Sequence, residues 1–387
     1  MDEELRTTEE ETEDEAVRPI VEPPRPGFGS GLLVFILSVL AALALPLLTY
    51  LALDFAFDLL RGEIPTWIVA LVAIVIGVIG VFVLYWLVDL IIKMLPDSIG
   101  ERIRPYAFVG PALVILAIYL VYPAIRTIQL SFMDANGAAY VGLDNYAYVF
   151  SDDAMLRSLR NTLLWVFLVP AAAVAIGLGF AVLADKLKRM ESVAKSLIFL
   201  PMAISFVGAS IVWRFVYNFR FEGSGEQIGV LNAMVTSLGG TPIDWLGLIP
   251  WNNIFLIVIM VWLQTGFAMV ILSSAIKGVS EDILEAARID GATEIQVFWR
   301  VVVPSIMSSI IVVFTTMVIN VLKVFDIVWV MTGGQDGTEV IAERMIRNMF
   351  TFFQDGRGAA IAVFMFIAVI PVMYLNIRRF RAEEALR

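Results

Sequence analysis

Apolar stretches recur along almost the whole chain, and each is about as long as the roughly 20 residues that a helix needs to cross a lipid bilayer. The chain has 387 residues, of which 59% are hydrophobic, and a soluble protein of this length would not need so many such stretches. We therefore predict an all-α integral membrane protein. Eight membrane helices are predicted, near Gly31–Leu60, Pro65–Leu95, Tyr106–Phe132, Thr162–Ala184, Ser196–Tyr217, Asn253–Ile276, Ser305–Met331 and Gly358–Ile377.

Basic residues in alternate loops predict the orientation of these helices, because lysine and arginine collect in short cytoplasmic loops. All the basic segments fall on one side of the membrane if both termini are cytoplasmic. These segments contain Lys93, Arg102 and Arg104, then Lys186, Lys188, Arg189 and Lys195, then Lys277, Arg288 and Arg300, and finally Arg378, Arg379, Arg381 and Arg387. We predict a multi-pass protein of the cell (inner or plasma) membrane with both termini inside.

The chain also divides by composition. Residues 1–30 hold blocks of acidic residues followed by a Pro/Gly-rich hinge, which is typical of a disordered, solvated tail. Residues 31–104 are predicted to form a hairpin of two membrane helices, and residues 105–387 the core of the protein. The net charge of −10 is misleading for the rest of the chain, because much of it lies in the tail.

The residue types and motifs that the sequence lacks exclude several kinds of site. It has no cysteine, so neither a disulfide nor a thiolate metal site can form. It has no histidine, which is the commonest general base and metal ligand. No GxxxxGKS or GxxxxGKT motif occurs, so this chain does not bind nucleotide through a P-loop. We expect no catalytic residue, no metal and no cofactor in this chain.

A polar stretch from Ser280 to Pro304 interrupts the apolar runs, and its residues predict two short helices joined by an elbow. Ser280 is placed to cap the first helix, with acidic residues in the first turn. Gly291 is placed to end that helix in a left-handed conformation, and Thr293 and Gln296 form a capping-box pattern at the start of the second. The periodicity alone is equally typical of an amphipathic helix on the membrane surface.

The residues of this stretch closely resemble the EAA loop of permeases from binding-protein-dependent ABC importers. The matching positions are Glu285, Ala286, Ala287, Asp290, Gly291, Ala292, Phe298, Val303 and Pro304. In that family the loop is the coupling helix that docks on the ATPase subunit. The resemblance implies that Glu285, Ala286, Ala287, Asp290, Gly291 and Ala292 form the contact with an ATPase subunit.

Further segments resemble the sugar permeases of this family. They are Val141–Tyr146 in an outer loop, Asn161–Leu163 at the start of the fourth span, and Phe353–Ala360 with Asn376–Arg379, which look most like the alpha-glucoside branch. The match covers nearly everything from Tyr106 to Arg379. It implies a six-helix ABC importer core, preceded here by an extra two-helix hairpin.

Polar residues at bilayer depth are candidates for the substrate pathway, because they are costly there. Four of them have a spacing that predicts one face of the seventh span: Thr316, Asn320, Lys323 and Asp326. Lys323 and Asp326 are equally typical of a neutralising pair inside the bundle. The amide of Asn320 both donates and accepts hydrogen bonds, which suits a sugar hydroxyl. On the sixth span, Gln264 offers a second amide and Phe267 an aromatic face.

The resemblance adds substrate contacts to this set. Alignment with the maltose-type permeases implies sugar contacts at Thr316, Asn320, Lys323, Gln264 and Phe267, and near Met202 on the fifth span. Lys323 stands where the maltose permease has an amide, so the resemblance does not imply the same sugar.

The implied function is that of a non-catalytic permease subunit of an ATP-driven importer for an oligosaccharide or alpha-glucoside-like carbohydrate. Its implied partners are two ATP-binding cassette subunits, which bind ATP and Mg²⁺, a second and non-identical permease subunit, and an extracytoplasmic substrate-binding protein. Two alternatives stay open. One is a secondary transporter that uses Lys323 and Asp326 as an ion- or proton-coupled pair, although the internal repeat typical of those folds is not evident. The other is a membrane scaffold that transports nothing.

Overall fold

The computed structural model describes residues 65–93, 97–187, 189–221, 223 and 225–384, together with the single positions 51, 54 and 58. The predicted acidic tail and the predicted first span, Gly31–Leu60, lie outside the described residues apart from those three positions, which belong to the predicted span. The described secondary structure is helical, with one isolated bridge between Met133 and Tyr140. The chain divides into two compact units, the first ending at Tyr122 and the second starting at Pro123.

The first unit contains two long helices. Helix α1 is Thr66–Lys93, and α2 is Asp97–Leu116, followed by a π-helical turn, Ala117–Val121. The chain then continues into α3, Tyr122–Leu130, which belongs to the second unit except for its first residue. Asp89 of α1 pairs with Lys93 (Oδ2–Nζ 2.5 Å) and with Arg104 of α2 (Oδ1–Nη2 3.3 Å). The predicted boundary between the hairpin and the core, after residue 104, differs from the boundary between the two compact units, and it stays a prediction.

The helices of the second unit follow one another with short connections. They are α4 (Asp144–Ser151), α5 (Asp153–Asp185), α6 (Glu191–Phe199), α7 (Phe206–Val216), α8 (Val230–Ser237), α9 (Asn252–Lys277), α10 (Glu281–Ile289), α11 (Glu294–Val297), α12 (Val303–Ser305), α13 (Met307–Leu322), α14 (Asp326–Thr332), α15 (Ile341–Phe350) and α16 (Asp355–Glu384). A 3₁₀ turn, Leu200–Ala203, separates α6 from α7, and a π-helical turn, Phe298–Val302, separates α11 from α12.

Several of these helices are long and apolar enough to cross a membrane. Among the described residues they are Thr66–Leu90, Ile99–Leu130, Asp153–Asp185, Asn252–Lys277 and Asp355–Arg378. Two bent pairs, Glu191–Ala203 with Phe206–Val216 and Glu294–Ser305 with Met307–Leu322, pass the same test together. The multi-pass, all-α class is therefore confirmed. The count of eight spans and the inward termini stay predictions.

The predicted fifth span, Ser196–Tyr217, is wrong as a continuous helix. Helices α6 and α7 meet there at an angle of 101°. Pro201 has no amide hydrogen to continue the helix, and Ser205 is extended and starts α7 by accepting a hydrogen bond from the Gly208 amide (Oγ–N 3.1 Å). Two ordinary helix signals, close together, therefore break a stretch that is apolar enough to cross the membrane.

The predicted seventh span, Ser305–Met331, is also wrong as a continuous helix. It begins with a bend of 66° between Glu294–Ser305 and α13, and α13 ends at Leu322. Lys323 follows as the capping residue, and α14 begins only at Asp326. The helical spacing that placed Thr316 and Asn320 on one face therefore does not extend to Lys323 and Asp326.

The centre of the second unit is the contact between α5 and α9. Trp165 of α5 and Leu256, Met260 and Met269 of α9 are fully buried there. Gly177 allows the two backbones to approach, since a Cβ at that position would lie 2.6 Å from the Ala268 Cβ and 2.9 Å from the Met269 amide nitrogen. Close approach at small residues is typical of helix packing in membranes.

Three asparagines fasten one loop to α5 and to the start of α9. The Asn161 side chain donates to the carbonyls of Gly337 (2.7 Å) and Glu339 (2.9 Å). Asn253 donates to Gly337 (3.1 Å), and Asn252 donates to Asp336 (2.8 Å). The family-like segment Asn161–Leu163 thus has a structural role, because it holds the connection between α14 and α15.

Candidate functional site

A cavity of about 330 Å³ lies between α9, α13 and the break that separates α6 from α7. We call it the amide-lined cavity. Its lining is uncharged and consists of Met202, Phe206, Leu263, Gln264, Phe267, Thr316 and Asn320. The structure thus brings together five residues that the sequence predicted as substrate contacts on three separate spans: Met202, Gln264, Phe267, Thr316 and Asn320.

The broken span is what opens this cavity. Met202 lies on the 3₁₀ turn and Phe206 on the first turn of α7, so both reach the cavity because the helix does not continue straight. Irregular backbone within a membrane is tolerated where it lines a cavity or is buried in protein. Gly266 of α9 lets the break come close, since a Cβ there would lie 2.6 Å from the Ile198 carbonyl oxygen and 2.7 Å from the Phe199 Cα.

The polar groups of the cavity are available to a ligand. Gln264 is only 6% exposed, yet neither its amide nor that of Asn320 has a hydrogen-bond partner within the described part of the chain. The Thr316 hydroxyl, by contrast, donates to the Val312 carbonyl (2.8 Å). Because a buried amide without a partner costs free energy, a ligand that supplies hydrogen bonds to Gln264 and Asn320 would be stabilised.

Lys323 is not among the residues that line this cavity. It is exposed and caps the end of α13, and its predicted contact with a substrate stays a prediction. The alternative in which Lys323 pairs with Asp326 is not seen, because neither takes part in any ion pair among the described residues. The break between Leu322 and Asp326 is the reason, since the two side chains no longer share one helical face.

Two lining residues were missed in the sequence. Leu263 is buried and directly precedes Gln264, so its place beside the predicted Gln264 contact could have been inferred from the sequence. Phe206 reaches the cavity only through the bend between α6 and α7, for which hydropathy gives no signal.

The predicted two-helix loop between Ser280 and Pro304 is present, and we call it the coupling loop. Gly291 forms the elbow with φ +83°, and no atom stands within 4 Å of where its Cβ would be. The capping box is confirmed, because Thr293 accepts from the Gln296 amide and the Gln296 side chain accepts from the Thr293 amide. Ser280 is at the N-cap as predicted, but its side chain makes no capping bond.

The predicted contact residues lie on the outside of this loop. Glu285, Ala286, Asp290 and Gly291 are exposed, while Ala287 and Ala292 are half-buried. Two apolar side chains beside them were missed: Ile289 is 84% exposed and Ile295 73% exposed. Exposed apolar side chains grouped with charged ones are typical of a surface that binds another protein.

An ion pair stiffens the elbow. Arg288 of α10 donates from Nε to Glu294 of α11 at 2.9 Å. The carboxylate beside it raises the pKa of the Arg288 guanidinium further above its usual range. Since both side chains are largely exposed, the pair contributes little to the stability of the fold.

A group of charged residues joins the ends of α5 and α9 to α6 beside the coupling loop, and we call it the charge cluster. Asp185 at the end of α5 accepts from Lys195 (2.8 Å) and from the Ser273 hydroxyl (2.8 Å). Glu191 accepts from Lys195 (2.6 Å) and from Lys277. Asp185 also lines a second cavity, of about 410 Å³, together with Leu284, Arg288 and Phe298 of the coupling loop. The coupling loop therefore packs directly beside the end of α5.

Comparison with known proteins decides the family. Residues 157–380 match the model of the binding-protein-dependent transport system inner membrane component. The chain belongs to this family. It is a permease of the binding-protein-dependent ABC importers and a multi-pass membrane protein, which confirms the importer interpretation over the ion-coupled one.

Two relatives are matched over nearly their whole length. The permease is 57% identical to the osmoprotective compounds uptake permease protein GgtC of Synechocystis sp., over 72% of this chain and 100% of that protein. It is 46% identical to the alpha-glucoside transport system permease protein AglF of Rhizobium meliloti, over 82% of this chain and 98% of that protein.

A solved structure shares the fold. It is a bacterial ABC transporter involved in the import of the acidic polysaccharide alginate, with a TM-score of 0.63 and 20% sequence identity, and the match covers 73% of this chain and 99% of that one. At this level of identity the likeness shows that the permease has the importer fold.

Proposed function

We propose that this permease forms part of the pathway for a neutral carbohydrate of the α-glucoside class in an ATP-driven importer. The observation that supports this is the pair of amides, Gln264 and Asn320, which line one uncharged cavity without a partner in the described chain. Sugar hydroxyls donate and accept hydrogen bonds as amides do. Phe206 and Phe267 offer aromatic faces for the apolar faces of a pyranose ring.

The uncharged lining of the amide-lined cavity favours a substrate without charge. A charged solute would lose its hydration in this cavity without gaining an opposite charge from the lining, which is costly. The similarity to the alpha-glucoside permease supports an α-glucoside. The similarity to the osmoprotective-compound permease favours a second candidate, an osmoprotective solute.

The proposed mechanism divides the work between this chain and its partners. A substrate-binding protein delivers the sugar on the outside. Two ATPase subunits, which bind ATP and Mg²⁺, close on ATP and move the coupling loops of this chain and of a second, non-identical permease subunit. In this chain Glu285, Ala286, Ala287, Asp290, Gly291 and Ala292 make the contact, and Ile289 and Ile295 extend it. The chain itself contributes no catalytic residue.

The proposal is tested with the complete importer in proteoliposomes. Maltose, trehalose and sucrose are compared with cellobiose, a β-glucoside, and with glycine betaine, a zwitterionic osmolyte. We expect at least one α-glucoside to bind the partner binding protein, to stimulate ATP hydrolysis and to accumulate inside. Uptake should stop when ATP is depleted and continue when the membrane potential is dissipated.

Two results would contradict the proposal. Uptake that follows the membrane potential instead of ATP would contradict the mechanism. Stimulation by glycine betaine alone, with none by any sugar, would contradict the substrate class.

A further inference from the structure

A further cavity of the second unit lies along α6 and is not part of the amide-lined cavity. It has a volume of about 670 Å³, and its lining includes Arg189, Ser192, Lys195, Ser196, Phe199 and Val270. We call it the serine-lined cavity. At twice the volume of the amide-lined cavity, it has room for a solute that fits the smaller one.

The two cavities follow one another along the same two walls. On one wall, Phe199 lines the serine-lined cavity and Met202 lines the amide-lined cavity, three residues further on. On the other wall, formed by α9, Val270 lines the serine-lined cavity and Phe267, three residues earlier, lines the amide-lined cavity. Three residues of helix advance about 5 Å, so both walls pass from one cavity to the next within a single turn.

The serine-lined cavity lies on the side of the coupling loop. Lys195 lines it and binds Asp185 at 2.8 Å, and Asp185 also lines the cavity beneath the coupling loop. A solute that moved from the amide-lined cavity toward the coupling loop would therefore enter the serine-lined cavity.

The hydroxyls along this wall are free to bind. Ser192 and Ser196 stand four residues apart on α6, which places them on one face. Serine and threonine hydroxyls in membrane helices usually donate a hydrogen bond to the carbonyl four residues earlier. In the second unit this bond is made by Ser305, Thr315 and Thr316. Among the described residues, the hydroxyls of Ser192 and Ser196 make no such bond.

The two sides of α6 differ in chemistry. Val193 and Leu197, next to the two serines in sequence, are apolar and exposed at 48% and 65%. A helix surrounded only by lipid is not expected to carry serine and charged side chains along one face, because polar groups are costly in hydrocarbon. Lys195 and Glu191 are already paired within the charge cluster, which leaves Arg189 as the charged residue of the lining without an ion pair among the described residues.

We propose that the serine-lined cavity is a second binding site for the transported carbohydrate, which receives the sugar from the amide-lined cavity before its release beside the coupling loop. Ser192 and Ser196 bind sugar hydroxyls, and Phe199 forms the apolar boundary between the two sites. This inference depends on the proposed carbohydrate function of the permease.

The first experiment measures which face of α6 meets water. The chain contains no cysteine, so single-cysteine variants have no background from this subunit. Ser192→Cys and Ser196→Cys are compared with Val193→Cys and Leu197→Cys in the complete importer, in inside-out vesicles, with a charged, membrane-impermeant methanethiosulfonate. We expect cysteines at the two serine positions to react at least about tenfold faster than cysteines at the valine and leucine positions. The reactive species is the thiolate, and apolar surroundings suppress its formation.

The second experiment blocks the site. Ser196→Trp should lower carbohydrate uptake at least about tenfold by filling the cavity while ATP hydrolysis stimulated by the loaded binding protein persists, and Leu197→Trp should transport normally.

Equal labelling at all four positions, or normal uptake by Ser196→Trp, would overturn the second site. If Ser196→Trp does not assemble, the labelling comparison decides. A wild-type importer that takes up no carbohydrate would instead refute the proposed function, so the two failures are distinguishable.

Discussion

Asn320 and Lys323 are three residues apart at the end of α13, yet only Asn320 reaches the amide-lined cavity. Lys323 is the exposed capping residue of that helix and is not among the lining residues, so the lining carries no charge. An uncharged lining favours a neutral substrate, because a charged one would lose its hydration there without gaining an opposite charge.

Replacing Asn320 by leucine, Asn320→Leu, should weaken substrate transport while leaving assembly intact. One hydrogen bond in a dry site is worth about 1.4 kcal/mol, which corresponds to about a tenfold rise in the KM of uptake. Lys323→Met is the matched control and should leave the KM within about twofold, since its side chain lies elsewhere. A larger effect at Lys323 than at Asn320 would refute the assignment of the cavity.

Gly291→Val should separate ATP hydrolysis from transport. At φ +83° a β-branched residue strains the elbow by roughly 1–2 kcal/mol or more, so the angle between α10 and α11 should change. The measured quantity is the number of sugar molecules transported per ATP, which should fall severalfold while the protein still inserts. Gly291→Asn should preserve more coupling, because asparagine tolerates the left-handed conformation. Normal coupling in Gly291→Val would contradict the role of the elbow.

Among the elements, α5 and α9 form the frame against which the broken spans are held. Gly177 and Gly266 are the two positions where this frame meets a neighbouring backbone most closely. The first joins α5 to α9, and the second brings α9 against the end of α6, where the amide-lined cavity opens. The site therefore depends on small residues that make no contact with substrate.

Two glycines on α5 provide a matched pair to test this frame. Gly177→Ala would place its Cβ 2.6 Å from the Ala268 Cβ, and such overpacking costs about 1–3 kcal/mol. Gly179→Ala meets nothing within 4 Å and should be neutral or stabilising by up to about 1 kcal/mol, because alanine is the better helix former. Thermal unfolding in detergent should rank the variants in that order, and equal stability would argue against close α5–α9 contact.

At the scale of the whole molecule, the charge cluster lies between the coupling loop and the wall of the proposed sugar route. Asp185, Glu191, Lys195 and Lys277 come from α5, α6 and α9, and they are balanced as two acids and two bases. Because Asp185 lines the cavity beside the coupling loop and Lys195 lines the serine-lined cavity, the cluster lies beside both cavities.

The orientation of the permease is directly measurable. We expect Glu281→Cys on the coupling loop to react with an impermeant thiol reagent only in inside-out vesicles. Gln335→Cys, exposed on the loop between α14 and α15, should react only in right-side-out vesicles. Because lysine and arginine set the topology, the two positions must fall on opposite sides. Labelling of Glu281→Cys from outside would refute both the predicted topology and the coupling role of the loop.

The sequence by itself determined the features that depend on neighbours along the chain. Hydropathy over about 20 residues located the apolar spans, and the order of Gly291, Thr293 and Gln296 predicted the elbow and its capping box. Polar residues at membrane depth also identified Gln264, Thr316 and Asn320 of the cavity lining, because such residues are rare there without a function.

Only the tertiary structure decided where the spans break and which polar residues meet. Met202, Gln264 and Asn320 lie far apart in sequence, and they share a cavity because α6 turns away from α7 and Gly266 lets α9 approach the turn. Hydropathy averages over such a turn, since the residues on both sides are equally apolar. Lys323 fits the helical spacing in sequence and lies outside the cavity in space, because the end of a helix depends on what packs around it.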